Sequence, residues 1–210
     1  MHPNRAFRRP ATTDNLAFAR DRGFGVLTLA GMDGPLASHI PFVLNKDGAA
    51  LDAHIVRSNP ICSRLGEAGN GGVSALLAVS GPDAYISPDW YGIEDQVPTW
   101  NYVAVHLFGS VRLLPEEKLR SHLNDLSSFF ERRLAPKPAW TLDKVTPDTY
   151  KRLSRMIVPV RMRIERVEGT WKFSQNKPDA ARLAAAAALP EYGPGMAVDA
   201  LKSLMRSVAE

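Results

Sequence analysis

Residues 24–56 read FGVLTLA-GMDG-PLASHIPFVL-NKDG-AALDAHIV, and this stretch decides the fold class. Apolar-rich runs flank Gly31-Met32-Asp33-Gly34, and Asp-Gly between such runs is a strong hairpin signal. A third run follows the Asn45-Lys46-Asp47-Gly48 turn. Strands are expected over Phe24–Ala30, Pro35–Leu44 and Ala49–Val56. In the second, alternation puts Ile40, Phe42 and Leu44 on one face and His39, Pro41 and Val43 on the other. The chain therefore opens as an antiparallel meander.

Upstream of the meander, Thr13 or Asp14 can cap a short helix running to about Arg22. Downstream, Asn59 can cap a helix that has Pro60 in its first position and ends near Ala68, before Gly69-Asn70-Gly71-Gly72. Val73–Ser80 reads as a buried strand, Gly81-Pro82-Asp83 as a turn, and Ala84–Ser87 as a short strand. Residues 88–98 read as a loop. Thr99–Leu114 is a long strand, with Val103, Val105, Leu107 and Val111 on one face and Trp100, Tyr102, His106 and Phe108 on the other. Helices are expected from Pro115 to about Leu134 and from Thr146 to about Met156, and a last strand over Val158–Val167. After Pro178 the chain turns helical over Asp179–Leu189, breaks at Tyr192-Gly193-Pro194-Gly195, and resumes over Ala197–Val208. The fold class is mainly β with α additions, a small antiparallel barrel rather than a doubly wound sheet. No Gly-x-Gly-x-x-Gly or P-loop follows any expected strand, which argues against a Rossmann dinucleotide site.

A length of 210 residues suffices for one sizeable core and a short appendage. The single cysteine, Cys62, leaves no internal disulfide to form, which fits a reducing cytoplasm. Met1–Pro10 is basic but lacks a following apolar segment, so no signal peptide is expected. Val73–Val79 and Leu183–Leu189 are too short to span a bilayer, so no membrane partner is expected. The net charge of +4 is uneven: Lys151 to Lys177 holds eight Lys or Arg against Glu165 and Glu168. Such a zone can meet nucleic acid, an anionic cofactor or solvent.

Three constellations carry candidate chemistry. In His54-Ile55-Val56-Arg57-Ser58-Asn59-Pro60 a guanidinium and a hydroxyl precede a helix N-terminus, where free N–H groups favour phosphate. The same residues also read as a plain cap beside a solvated arginine. In Tyr85–Tyr102, tryptophans and tyrosines are interleaved with Ser, Asp, Thr and Asn, which suits either a planar, partly polar ligand or a packed barrel rim. Trp171-Lys172-Phe173-Ser174-Gln175-Asn176-Lys177 is a run of donors fit for an anion or a ring edge, or a polar exit loop. His39 and His106 stand isolated, and no His-Glu-x-x-His, Gly-x-Ser-x-Gly or helix-turn-helix pattern is present. No metal site is expected.

Taken together, His54–Pro60, Tyr-x-Ser-Pro-x-Trp-Tyr at 85–91, Val-Pro-Thr-Trp-Asn-Tyr at 97–102 and Trp-Lys-x-Ser-Gln-Asn-Lys at 171–177 closely resemble the PaiB family of FMN-binding-type split-barrel proteins. The resemblance covers residues 1–178, leaving 179–210 as a C-terminal helical extension. The loop Gly92–Gln96 is shorter than the family's usual linker, and Phe173 stands where Leu is commoner. The resemblance implies a six-stranded antiparallel split β-barrel, a homodimer, and FMN held at the dimer interface. Arg57 and Ser58, beside His54 and Asn59, would hold the phosphate, and His39 would lie near the isoalloxazine. Trp100, Asn101 and Tyr102 would shape the cleft, and Lys172, Ser174, Gln175 and Lys177 would close it. The implied function is an FMN-binding protein, with flavin-dependent oxidoreductase activity as one extension of that reading. An alternative is a transcriptional regulator acting through DNA or a protein partner, its flavin site sensory or vestigial. A further alternative fills the cleft with haem, on His39 or His106.

Overall fold

The computed structural model describes residues 1–8, 10–190 and 193–208. Its elements in chain order are α1 (Thr12–Arg22), β1 (Phe24–Ala30), β2 (Pro35–Leu44), β3 (Ala50–Val56), α2 (Pro60–Ala68), β4 (Val73–Ile86), β5 (Thr99–Leu113), α3 (Lys118–Glu131), α4 (Pro147–Ser154), β6 (Ile157–Lys172), α5 (Asp179–Ala188), β7 (Gly195–Met196) and α6 (Val198–Arg206). The strand order is β1-β2-β3-β6-β5-β4-β7, and β1 also pairs with β4, so six strands close into a ring. Pairing is antiparallel for β1–β2, β2–β3, β3–β6, β1–β4 and β4–β7. Closure removes the free edges that an open sheet would expose.

The chain divides into two compact units. The barrel unit comprises Leu16–Val79 and Leu107–Val167, and the terminal unit comprises Met1–Asn15, Ser80–His106 and Glu168–Glu210. In the barrel unit the ring's inner residues Leu27, Phe42, Leu51, Leu77, Leu107 and Met162 are fully buried. Burial of each such side chain is worth about 1.5–3 kcal/mol. Helix α3 packs through Leu119, His122 and Leu126, one stripe at helical spacing. In the terminal unit the core is Val103 and Val105 of β5 with Ile86, Phe173, Ala185, Leu201 and Met205.

Three expectations are corrected. Gly81-Pro82-Asp83 is not a turn between two strands; β4 runs through it. The buried positions are odd-numbered through Val79 and even-numbered from Ala84. The three residues thus act as a bulge that shifts the phase by one, which periodicity alone reads as a break. The last strand continues to Lys172 instead of stopping at Val167, carrying Gly169 inside it. A side chain at 169 would overlap the Asn15 carboxamide, whose Oδ1 accepts from Trp171 Nε1 at 2.8 Å. Helix α3 begins at Lys118 and ends at Glu131, shorter at both ends than expected, with a 3-10 turn over Arg132–Leu134. The expected break at Tyr192 falls outside the described residues.

Candidate functional site

In the barrel unit, β3 runs out at Val56 and the chain turns into α2 through Arg57-Ser58-Asn59. Asn59 is extended, at φ −70° and ψ 135°, and its Oδ1 accepts from the Ile61 N–H at 2.9 Å. Its Nδ2 donates to Ser38 Oγ at 3.2 Å, tying the helix start to β2. The substitution Asn59→Ala removes both bonds and is expected to cost about 1–2 kcal/mol, read as a lower denaturant midpoint at unchanged slope.

A cavity of about 500 Å³ opens beside this helix start. Residues 31–36 of the first hairpin form one wall, Ser58 the end, and Pro60, Ser63, Arg64 and Glu67 of α2 the other. Those four lie at i, i+3, i+4 and i+7, a single helix face. Ser58 and Ser63 make no side-chain hydrogen bond among the described residues. Ser63 and Arg64 were missed at the sequence level, where the signal was their helical spacing from Pro60.

Arg57 is exposed and engaged. Its Nη2 donates to Glu116 Oε1 at 2.7 Å and its Nε to the Arg155 carbonyl at 2.8 Å. An exposed ion pair of this kind is worth about 0–1 kcal/mol, so a dianion can displace Glu116 at little cost. His39 is exposed, its ring stacked on Phe24 with centroids 6.2 Å apart. His54 points away from the α2 start to α3, where its Nδ1 lies 3.0 Å from His122 Nε2. Burial lowers the pKa of His54. It holds that of His122 down at about 4, helped by the facing His54 and opposed by Asp52. His122 Nδ1 is buried without a partner among the described residues. A bare lone pair is cheaper to bury than an orphan N–H, so His122 Nε2–H donates and His54 Nδ1 accepts.

The terminal unit gathers the other motif residues. Tyr85 and Trp100 meet edge to face, ring centroids 6.4 Å apart, and Trp100 is 46% exposed. Tyr102 is half-buried on the same face of β5. Asn101, on the opposite face, is fully buried. Its Nδ2 donates to Ser174 Oγ at 2.9 Å and to the Met205 sulfur at 3.5 Å. The Tyr91 hydroxyl shares a 2.7 Å hydrogen bond with the same Ser174 oxygen, and Asn101 Oδ1 has no partner among the described residues. Ser174 sits at φ +62°, a left-handed conformation that costs a non-glycine residue about 1–3 kcal/mol. Gln175 is spent on the backbone: it accepts from Phe173 N–H at 2.7 Å and donates to the Ala6 and Trp171 carbonyls. Lys172 donates to the Thr99 hydroxyl, and burial, with Lys177 nearby, lowers its pKa. Lys177 donates to Gln96 and stands 5.6 Å over the Tyr91 ring.

The structure thus divides the sequence-predicted residues. His39, His54, Arg57, Ser58 and Asn59 belong to the barrel unit, and Trp100, Asn101, Tyr102, Lys172, Ser174, Gln175 and Lys177 to the terminal unit. Within the terminal unit, Asn101, Ser174 and Gln175 are committed to internal bonds, while Trp100 reaches solvent and Tyr102, Lys172 and Lys177 are partly exposed.

Residues 1–166 match the model of the family described as "Putative FMN-binding domain". The Bacillus subtilis protein "Protease synthase and sporulation protein PAI 2" is 32% identical over 162 residues, covering 76% of this chain and 75% of that protein. Among solved structures, the FAD and heme binding protein from Mycobacterium smegmatis aligns with a TM-score of 0.57 at 16% identity, over 90% of this chain and 83% of that one. The flavocytochrome Anf3 from Azotobacter vinelandii aligns at 0.53 and 13%, over 93% and 81%. At such identities these two structures speak to the fold alone. With the family match over most of its length and the Bacillus relative beside it, the chain belongs to the PaiB family of FMN-binding-domain proteins.

Proposed function

We propose that this chain binds FMN and that its barrel unit holds the phosphate end. The observation that carries the reading is the cavity at the first turn of α2, with the uncommitted hydroxyls of Ser58 and Ser63 beside Arg64. Hydroxyl donors, a guanidinium and the positive end of a helix form a donor set suited to a phosphate dianion. Arg57, held only by a surface carboxylate and a carbonyl, is the second guanidinium. Within the terminal unit taken by itself, Trp100, Tyr102, Lys172 and Lys177 offer ring and ammonium groups of a kind that suits a flavin ring, and Asn101, Ser174 and Gln175 are positioning residues. When bound, FMN would supply hydride or electron transfer. A homodimer is part of the proposal, supported by the exposed Ile93, Val97, Trp100 and Met196 of the terminal unit. Light scattering should then give twice the chain mass; a stable monomer overturns the dimer.

Titration of FMN into the purified protein, followed by flavin fluorescence, tests the main reading. Saturable quenching is expected with FMN and much weaker quenching with riboflavin, which lacks the phosphate. Arg57→Ala and Ser58→Ala should each weaken FMN by about tenfold or more, as loss of a charge-assisted hydrogen bond predicts, while changing stability by less than about 1 kcal/mol. Equal binding of riboflavin and FMN would remove the phosphate from this cavity. Absence of any flavin response would end the proposal.

A further inference from the structure

The flavin reading uses Lys172 and Lys177 of the basic zone and leaves its arginines unexplained. Two of its arginines, Arg161 and Arg163, lie on β6 within the barrel unit, opposite Asp52 and Ala50 of β3. Arg161 Nε and Nη2 donate to Asp52 Oδ1 and Oδ2 at 2.6 and 2.7 Å. This fork-on-fork contact fixes the guanidinium plane, and the Asp52 carboxylate raises the pKa of Arg161. Arg163 is paired with Glu165 on its own strand.

Strand β5 is the neighbour of β6 on the other side. There Ser110 and Arg112 alternate with the buried Gly109 and Val111, so both point outward. The two strands approach closely, since a Cβ at 109 would overlap the Arg163 carbonyl oxygen. The turn after α2 completes the enclosure. At Gly72, φ is +71° and a Cβ would overlap Ser110 Oγ, so the turn's backbone lies directly on that hydroxyl.

These elements surround a cavity of about 400 Å³. Its polar lining is Arg112, Arg161, Arg163, Ser110 and Asn70, over small alanines, and among the described residues no acidic side chain lines it. Among the described residues Arg112 makes no hydrogen bond or ion pair.

We propose that this cavity is a second ligand site, separate from the flavin-phosphate site, and that it takes a small molecule bearing a phosphomonoester or diphosphate. Among the described residues Arg112 brings the unpaired guanidinium to this concavity, while Arg161 and Arg163, each already paired with a carboxylate, keep N–H donors beyond those pairs. Planar N–H forks match pairs of phosphate oxygens, with the hydroxyl and carboxamide as neutral donors for the rest. A cavity of this size lies within the usual range for small ligands, about 300–1,000 Å³, and exceeds what one phosphate fills. Its concave form favours a small molecule over a nucleic-acid backbone, which needs an extended basic track.

Calorimetric titration with inorganic pyrophosphate and with ADP, at about physiological ionic strength to screen loose surface binding, tests the site. Saturable binding of at least one probe at one site per chain is expected. Arg112→Ala should weaken it by about tenfold or more, and Arg112→Lys less, since a point charge survives without the fork. Among the described residues Arg112 has no partner to lose, so its variants should fold as the parent does, checked by thermal melting. FMN titrations should be unchanged in Arg112→Ala. Binding that survives Arg112→Ala and Arg163→Ala overturns the proposal. So does no binding of either probe, tighter binding of duplex DNA than of either probe, or loss of FMN binding in Arg112→Ala, which would make this the flavin-phosphate site.

Discussion

Replacing Gly109 with alanine is expected to cost about 3 kcal/mol or more and to lower the melting midpoint by about 6–12 °C. Position 109 is buried on β5, and an added Cβ would overlap the carbonyl oxygen of Arg163 on β6. The obstacle is backbone, so no rotamer change relieves it. Either the two strands separate, breaking ladder hydrogen bonds inside a closed ring, or the methyl is not accommodated. Gly66→Ala is the matching control. Gly66 lies within α2, is exposed, and has open space around its would-be Cβ. Alanine there is expected to add about 0.5–1 kcal/mol through helix propensity and a less free unfolded chain. Urea denaturation of both variants reads the difference; a Gly109→Ala variant within about 0.5 kcal/mol of the parent would show that the strands give way.

Acidification supplies the second large effect. His122 is 4% exposed, and its pKa is held at about 4 against an ordinary value of 6.5. In the unfolded chain this histidine takes up a proton as pH falls through 6.5, and in the folded chain only near 4. Between those limits the unfolded state binds more protons, so stability falls as pH falls. The stability at stake is about 3 kcal/mol, fully present above pH 6.5 and lost by about pH 4. His54, lowered in the same direction, steepens the decline. Both rings can remain neutral with one N–H between them; one added proton makes one ring a cation, and only a second added proton puts like charges on rings 3.0 Å apart in a buried place. Equilibrium unfolding from pH 8 to pH 4 should show the loss, and His122→Leu should flatten it whatever that variant's absolute stability. An equal slope in both proteins would assign the acid sensitivity to other groups.

Much of the barrel was legible because its turns are chemically explicit. Gly31–Gly34 and Asn45–Gly48 bracket β2 so closely that Phe24–Ala30 and Pro35–Leu44 emerge with the boundaries expected. Asn59 and Pro60 likewise mark the start of α2. Periodicity tells which face a residue is on, and the two faces of β5 come out as read, with Asn101 joining the buried one. It does not tell what lies across from that face. Hence His54 reads from the sequence with the phosphate residues beside it, whereas its side chain meets His122 on α3. The aromatic stretch had two readings and the structure holds some of each: Tyr91 is core, while Trp100 is open to solvent. Arg112 was invisible as a partner of Arg161 and Arg163, because only the β5–β6 neighbourhood brings the three together.

The division into units also sets an order of assembly on the ribosome. Every segment of the barrel unit has been synthesised once Val167 has left the peptidyl-transferase centre. The terminal unit draws on Met1–Asn15, Ser80–His106 and the chain after Glu168, and Asn101 does not meet its Met205 neighbour until α6 emerges. At about 5–20 residues per second the sequence of the barrel unit is therefore complete a few seconds before that of α6. Limited proteolysis of chains stalled after the barrel segments would reveal that order as early protection of β1–β3, with Ser80–His106 still open to cleavage.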